Sequence, residues 1–209
     1  MRTSDRDALV AQLIAAGRTC VERGLVLASG GNLSVRLEGR GSFVITESGT
    51  WLDRLTPDDF AEISLRGGQR IGGRPSVEWK LHALTYSARP DVHAIIHLHP
   101  QTALLVDMLG EPIRLTTLDH QYYLRSVGRT DFLPSGSDEL AQAAAEQAVT
   151  HDAIVMAHHG STALGETVEM ALRRALNLEE AALMTYRLLL AGNTTAVFPP
   201  EYVDRIITV

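Results

Sequence analysis

At 209 residues, 45% hydrophobic and 21% charged, the chain has the balance of one globular core and is expected to form a single domain over residues 1–209. Its formal charge of −6, with Lys and Arg scattered rather than clustered, argues against nucleic acid as a partner. No apolar run reaches the roughly 18 residues of a membrane span, "MRTSDRDALV" lacks a signal-peptide layout, and the lone Cys20 permits no internal disulfide, so a cytoplasmic setting is expected.

From Asp5 to Arg23, Leu9, Val10, Leu13, Ile14, Gly17, Cys20 and Val21 recur at helical spacing, and Gly24 can close the helix. Cys20 on that stripe reads as a packed thiol. "LSVRLEG" and "SFVIT" read as short strands beside Gly-rich turns, and "AEISLRGGQ" as a strand followed by a turn. Between them "LTPDDF", with Thr56 as N-cap and Pro57 at the first helical position, predicts a helix start. "PSVEWKLHALTYSARP" predicts a helix capped by Ser76, "DVHAIIHLH" a buried strand, and "QTALLVDML" a short helix. "SGSDELAQAAAEQAV" carries a Ser cap and acids in its first turn. "AIVMA" is a strand, and the run starting "TVEMALRRAL" is a long helix ending at Gly192. Several strand pairs are joined by turns too short for parallel crossovers, so an α/β fold with a mixed or antiparallel sheet covered by helices is expected.

The chemistry concentrates in "DVHAIIHLHP". Strand alternation puts His93, His97 and His99 on one face, with His97 and His99 near enough to share a metal ion, although two surface histidines would give the same pattern. "HHG" (His158, His159, Gly160) follows a second strand and offers a third imidazole; three histidines with an open position describe a catalytic metal site better than a closed structural one. Glu78 falls in the first turn of a predicted helix, where an acid is ordinarily a stabilising charge. His82, one turn later, reads most simply as a solvated face residue. "SGGNLSVR" and "TESGT" join glycines to hydroxyl residues in turns that could aim N–H groups at an anion, as could Ser76, but Gly, Asn and Ser also dominate ordinary turns.

"SGGNLSVR", "ITESGT", "RPSVEWKLH", "IIHLHP" and "AHHGSTALGETVEMAL" stand in an order that resembles the class II aldolase and adducin family, over about Ala8 to Gly192, with motifs most similar to the fuculose-phosphate aldolase branch. The resemblance implies a three-layer α/β/α fold around a mainly antiparallel sheet, and a homotetramer with active sites at subunit interfaces. By motif it implies metal ligation by His97, His99 and His159, with one divalent ion per subunit, zinc foremost and manganese, cobalt or iron as alternatives. It implies Glu78 as the catalytic acid/base, unlike the epimerase branch, where aspartate is usual. Phosphate binding would fall to Gly31, Asn32, Ser48, Gly49 and Ser76. One departure stands out: where members with phosphorylated substrates often have a second serine, this chain has Val77. His93 matches no ligand position and is left as a packed or supporting residue.

The implied activity is reversible retro-aldol cleavage of a short ketose 1-phosphate to dihydroxyacetone phosphate and an aldehyde. A metal-dependent decarboxylase of a keto sugar acid phosphate or hydroxylated aromatic acid is the alternative; His120, Tyr122, Tyr123 and Arg125 of "LDHQYYLRS" could then contact a carboxylate, though packing or interface roles are the more ordinary reading of these residues. A non-catalytic association module, as in the adducin branch, is the third reading. Tyr202, near the C-terminus, is a candidate cover for a neighbouring site.

Overall fold

The computed structural model describes residues 3–206, with side chains from Asp5 onward. An eight-stranded sheet runs through it, formed by β1 (Asn32–Leu37), β2 (Ser42–Thr46), β3 (Phe60–Ser64), β4 (Arg70–Gly72), β5 (Ala94–Leu98), β6 (Val127–Thr130), β7 (Ala153–Met156) and β8 (Gly160–Gly165). Their spatial order is β4-β3-β2-β1-β5-β8-β7-β6. Every neighbouring pair is antiparallel except β6 and β7. Short connections between strands account for the antiparallel pairing, and helices cover both faces of the sheet.

On one face α1 (Thr3–Glu22) and α6 (Val168–Leu190) close over Leu33, Val35 and Leu37 of β1 and Ala94, Ile96 and Leu98 of β5. Gly17 lets α1 approach closely, because a Cβ there would stand 2.6 Å from the Leu52 carbonyl oxygen. Cys20 lies buried on this stripe, and burial pushes its thiol up to about 12, which keeps it unreactive. Smaller helices, α3 (Gln101–Met108) and α4 (Leu118–Leu124), dock on α6. On the opposite face lie α2 (Trp79–Ala88) and α5 (Asp138–Ala148), whose Ser137 cap accepts from the Leu140 N–H. Alternation along β1 and β5 then turns Asn32, Ser34 and His97 toward α2. The site grows from that placement.

Several expectations need correction. "LTPDDF" forms a turn rather than a helix: the Asp59 carboxylate folds back to accept from both the Thr56 N–H (2.8 Å) and its hydroxyl (2.7 Å), and Phe60 enters β3. Ser76 does not cap α2, because the helix begins three residues later with Glu78 as N-cap, while the Ser76 hydroxyl accepts from the Glu78 N–H at 3.3 Å. His93 and His99 lie outside the bounds of β5. α4, β4, β6 and β8 were not anticipated. β8, "GSTALG", has little intrinsic strand preference and forms because all six residues are buried between β5 and β7.

Candidate active site

The antiparallel register assembles the histidines. Asn32 pairs with His97 across β1 and β5, and Leu98 pairs with Ser161 across β5 and β8. The β7–β8 hairpin turns through His158, which adopts φ 57°, and His159, whose N–H donates to Met156 O. That turn delivers His159 beside the end of β5. The rings of His97, His99 and His159 have centroids 5.0–5.4 Å apart, and one nitrogen from each lies within 4.8 Å of the others. His93 stays apart, at the opposite end of the strand, paired with Glu38 at 3.0 Å. Of the three histidines expected on one strand face, two reach the cluster.

Glu78 faces this cluster from the start of α2. Its Oε2 lies 3.1 Å from His97 Nε2 and its Oε1 3.0 Å from His159 Nε2. Burial by itself would raise the carboxyl's pKa, but His97 and His159 outweigh it and hold the group well below the usual carboxylate range. His97 Nδ1 donates to the Ser161 carbonyl at 3.0 Å, which aims Nε2 into the cluster. Nε2 lies 3.1 Å from a Glu78 oxygen and 3.1 Å from His99 Nε2. Three imidazole nitrogens within 4.8 Å of one another, with a carboxylate oxygen alongside, are the kind of donors a divalent cation draws together. His159 Nδ1 is buried without a partner among the described residues. The donor set, three imidazoles beside one carboxylate, therefore fits a divalent metal ion.

A cavity of about 330 Å³ opens over Glu78, His99 and His159. Gly31, Asn32, Ser48, Gly49 and Ser76, the five residues singled out for anion binding, all line it, together with Ser29, Val77 and Ser135. The Ser48 N–H donates to Arg74 O and the Ser76 N–H to Thr46 O, so these two serines have hydroxyls rather than amides to offer a ligand. The Asn32 side chain is engaged with Glu78 and His82. No Lys or Arg is among the lining residues.

Residues 11–186 match the class II aldolase and adducin N-terminal domain. The chain belongs to the class II aldolase and adducin family. It is 35% identical over 174 residues to the L-fuculose phosphate aldolase of Methanocaldococcus jannaschii, covering 83% of this chain and 93% of the relative. It is 32% identical over 207 residues to the 5-methylthioribulose-1-phosphate/5-deoxyribulose-1-phosphate aldolase of Rhodospirillum rubrum, covering 97% and 90%. It is 29% identical over 181 residues to the 3-oxo-tetronate 4-phosphate decarboxylase of Haemophilus influenzae, covering 84% and 86%. The L-fuculose-1-phosphate aldolase structure from Thermus thermophilus superposes with a TM-score of 0.80 at 32% identity, over 90% of this chain and 98% of that one.

Within this class II aldolase fold, the residues considered for a carboxylate substrate lie elsewhere. His120 is buried against α6 in a very short contact with Glu180, and its Nδ1 accepts from the Thr116 N–H. Arg125 ends α4 at φ 55°, and the Tyr123 hydroxyl accepts from Arg173. Tyr122, Tyr123 and Tyr202 line a separate groove with Phe198. Two residues of the site were missed from sequence. Ser135, on the loop before α5, donates to Glu78 Oε1 at 3.0 Å, and His82 is fully buried rather than solvated. The spacing of Glu78 and His82, four apart on a helix, and of Asn32 and Ser34, two apart on a strand, was the available signal.

Gly160 is required at its position in the aldolase-family hairpin. A Cβ there would collide with Leu98 O and come within 2.7 Å of His99 Cδ2 and 3.0 Å of His97 Cε1. Gly160→Ala is expected to destabilise the protein by about 1–3 kcal/mol and to weaken metal retention, read as thermal midpoint and metal content after dialysis. An unchanged metal content would contradict this packing.

Acid should destabilise the metal-free protein. Burial, helped by His97, pushes His82 down to about 3, and burial, helped by His97 and His159, pushes His99 down to about 4. Both folded values lie below the unfolded value of about 6.5, so the unfolded chain binds more protons in that window and stability is lost as pH falls through it. Glu78, also depressed, adds a loss of the same sign below its unfolded value of about 4.5. Lowering pH from about 6.5 to 5 should cost about 1.6 kcal/mol through His82 alone. Urea midpoints in the presence of chelator test this, and a midpoint that stays level or rises on acidification would refute it.

Proposed function

We propose that this protein is a metal-dependent lyase that reversibly cleaves a short ketose 1-phosphate into dihydroxyacetone phosphate and an aldehyde. The observation that carries this reading is the Glu78 carboxyl, 3.1 Å from His97 Nε2 and 3.0 Å from His159 Nε2, under a cavity ringed by small hydroxyl and glycine residues. His97, His99 and His159 would hold the metal, with zinc the first candidate. A divalent ion bound there supplies electrophilic stabilisation for negative charge developing on substrate oxygens.

The chain's own residues supply the rest. In the condensation direction Glu78 removes a proton from the carbon that will form the new bond; in the cleavage direction the hydroxyl that becomes the aldehyde carbonyl gives up its proton as the bond breaks, and Glu78 passes a proton to the released carbon. Asn32 and Ser135 hold the carboxylate in place. The hydroxyls of Ser48 and Ser76 and the turns at Gly31 and Gly49 would take the phosphate, with neutral donors substituting for Lys or Arg. We place this activity in a cytoplasmic homotetramer, whose neighbouring subunit would complete the open side of the cavity.

One relative favours a second reading: the 29% identical protein of Haemophilus influenzae is a 3-oxo-tetronate 4-phosphate decarboxylase. Val77, 61% exposed at the cavity edge where a hydroxyl would help hold a phosphate, bears equally on both phosphorylated substrates and leaves room for decarboxylation of a hydroxylated aromatic acid. Loss of carbon dioxide would leave the same kind of carbanion for Glu78 to protonate. Mass-spectrometric product analysis of metal-loaded protein with ketose 1-phosphates and 3-keto sugar acid phosphates decides between them. Dihydroxyacetone phosphate with an aldehyde supports the aldolase; carbon dioxide with a shortened ketose replaces it with the decarboxylase.

A further inference from the structure

Behind Glu78 runs a chain of hydrogen bonds whose direction can be assigned by elimination. Asn32 Nδ2 donates to Glu78 Oε2 at 2.9 Å, so the amide nitrogen faces Glu78. Asn32 Oδ1 therefore faces the other way, 2.5 Å from His82 Nε2, and that nitrogen must carry the hydrogen. In a neutral ring Nδ1 is then the acceptor, and it lies 2.7 Å from Ser34 Oγ, which donates to it. The Tyr86 hydroxyl, 2.7 Å from Ser34 Oγ, donates in turn. From Ser34 through His82 and Asn32 the donors point toward Glu78, while the Tyr86 hydroxyl also lies 3.4 Å from the His93 carbonyl oxygen. Asn32, Ser34, His82 and Tyr86 are all buried, and of these four only Asn32 reaches the cavity.

From this arrangement we infer that His82 is a positioning residue for catalysis: its Nε2–H locks the Asn32 amide with its nitrogen on Glu78, which fixes the carboxylate's orientation. An amide flipped at Asn32 would set its oxygen against the carboxylate, two acceptors at hydrogen-bond distance, and would leave a buried N–H₂ facing the His82 N–H. His82 makes the flip unfavourable at both ends. The chain is not a proton wire, because the Asn32 amide has no readily exchanged proton to hand on; its effect is orientation and cooperative polarisation. Burial keeps the ring neutral, pushing it down to about 3, so the tautomer persists at working pH.

The inference rests on Glu78 being the proton-transfer group, and the test separates the two. Long-range ¹H–¹⁵N spectra of histidine-labelled, metal-loaded protein, with His82→Gln assigning the resonance, should show a neutral Nε2–H ring at position 82 between about pH 6 and 8. A hydrogen on Nδ1, or a charged ring, overturns the inference whatever the enzyme's activity. In kinetics, His82→Gln can still donate through its amide nitrogen and accept through its oxygen, so it should keep kcat within about threefold. His82→Leu should lower kcat by about 10–100-fold with KM within about twofold and metal content intact. Equal losses for Gln and Leu, or no loss for Leu, would reduce His82 to a packing residue. If the wild-type protein shows no lyase turnover, the proposed function fails, and the spectra decide the role of His82 by themselves.

Discussion

Replacing Glu78 by Gln should lower the cleavage rate by about 10²–10⁴-fold, the usual contribution of a positioned acid or base, while metal content and fold stay intact. Gln is nearly isosteric: its amide oxygen can accept from Asn32 Nδ2, now 2.9 Å from Oε2, while its amide nitrogen donates to the Ser135 hydroxyl, now 3.0 Å from Oε1. What it cannot do is carry a proton. Because that interaction matters only when the carbon is being protonated or deprotonated, the loss should fall on kcat with KM little changed. Steady-state kinetics beside metal analysis provides the check. A Glu78→Gln protein with its metal and its full rate would remove Glu78 from the chemistry and take the proposed mechanism with it.

His97→Ala should act earlier, on the metal itself. His97 is fully buried, and its Nδ1 bond to the Ser161 carbonyl aims Nε2 into the cluster. Removing the ring takes away one of three imidazoles and leaves His99 and His159 as a two-nitrogen site, too poor to retain a divalent ion through dialysis. Metal content should drop from about one ion per chain to near none. Turnover should fall by about 10³-fold or more, since electrophilic charge stabilisation is worth several kcal/mol and each 1.36 kcal/mol is about tenfold. Circular dichroism should show the fold retained, because the sheet's pairing across β1, β5 and β8 is backbone bonding. Retained metal and turnover would mean that the ion sits elsewhere.

The two variants fail in distinguishable ways. Glu78→Gln is metal-loaded and slow; His97→Ala is metal-free and slow. A single assay of turnover would confuse them, and the metal content separates them.

How much of this was legible in the chain differs from residue to residue. The long helices α1 and α6 followed from spacing that a helix imposes on its own, and β5 from an apolar run bounded by charged and turn residues. The mainly antiparallel sheet followed from short connections. β8 and α4 did not, because "GSTALG" and "LDHQYYL" have weak local preferences and take their form from the neighbours that bury them. "LTPDDF" misled because Thr-Pro opens turns as readily as helices, and Asp59 resolved the choice by bonding back to Thr56.

The sequence by itself determined the family, through five ordered motifs, and with it the histidines to examine, the acid at Glu78 and the glycine turns around the cavity. Tertiary structure alone decided which groups meet. His93 shares the spacing of His97 and His99 yet ends at Glu38, while His159 arrives from a hairpin about sixty residues away, and His82 turns inward to Asn32 and Ser34. The reason is physical: periodicity tells which face of its own element a side chain takes, but its partners across the sheet are set by strand register and helix docking, and those depend on the whole core.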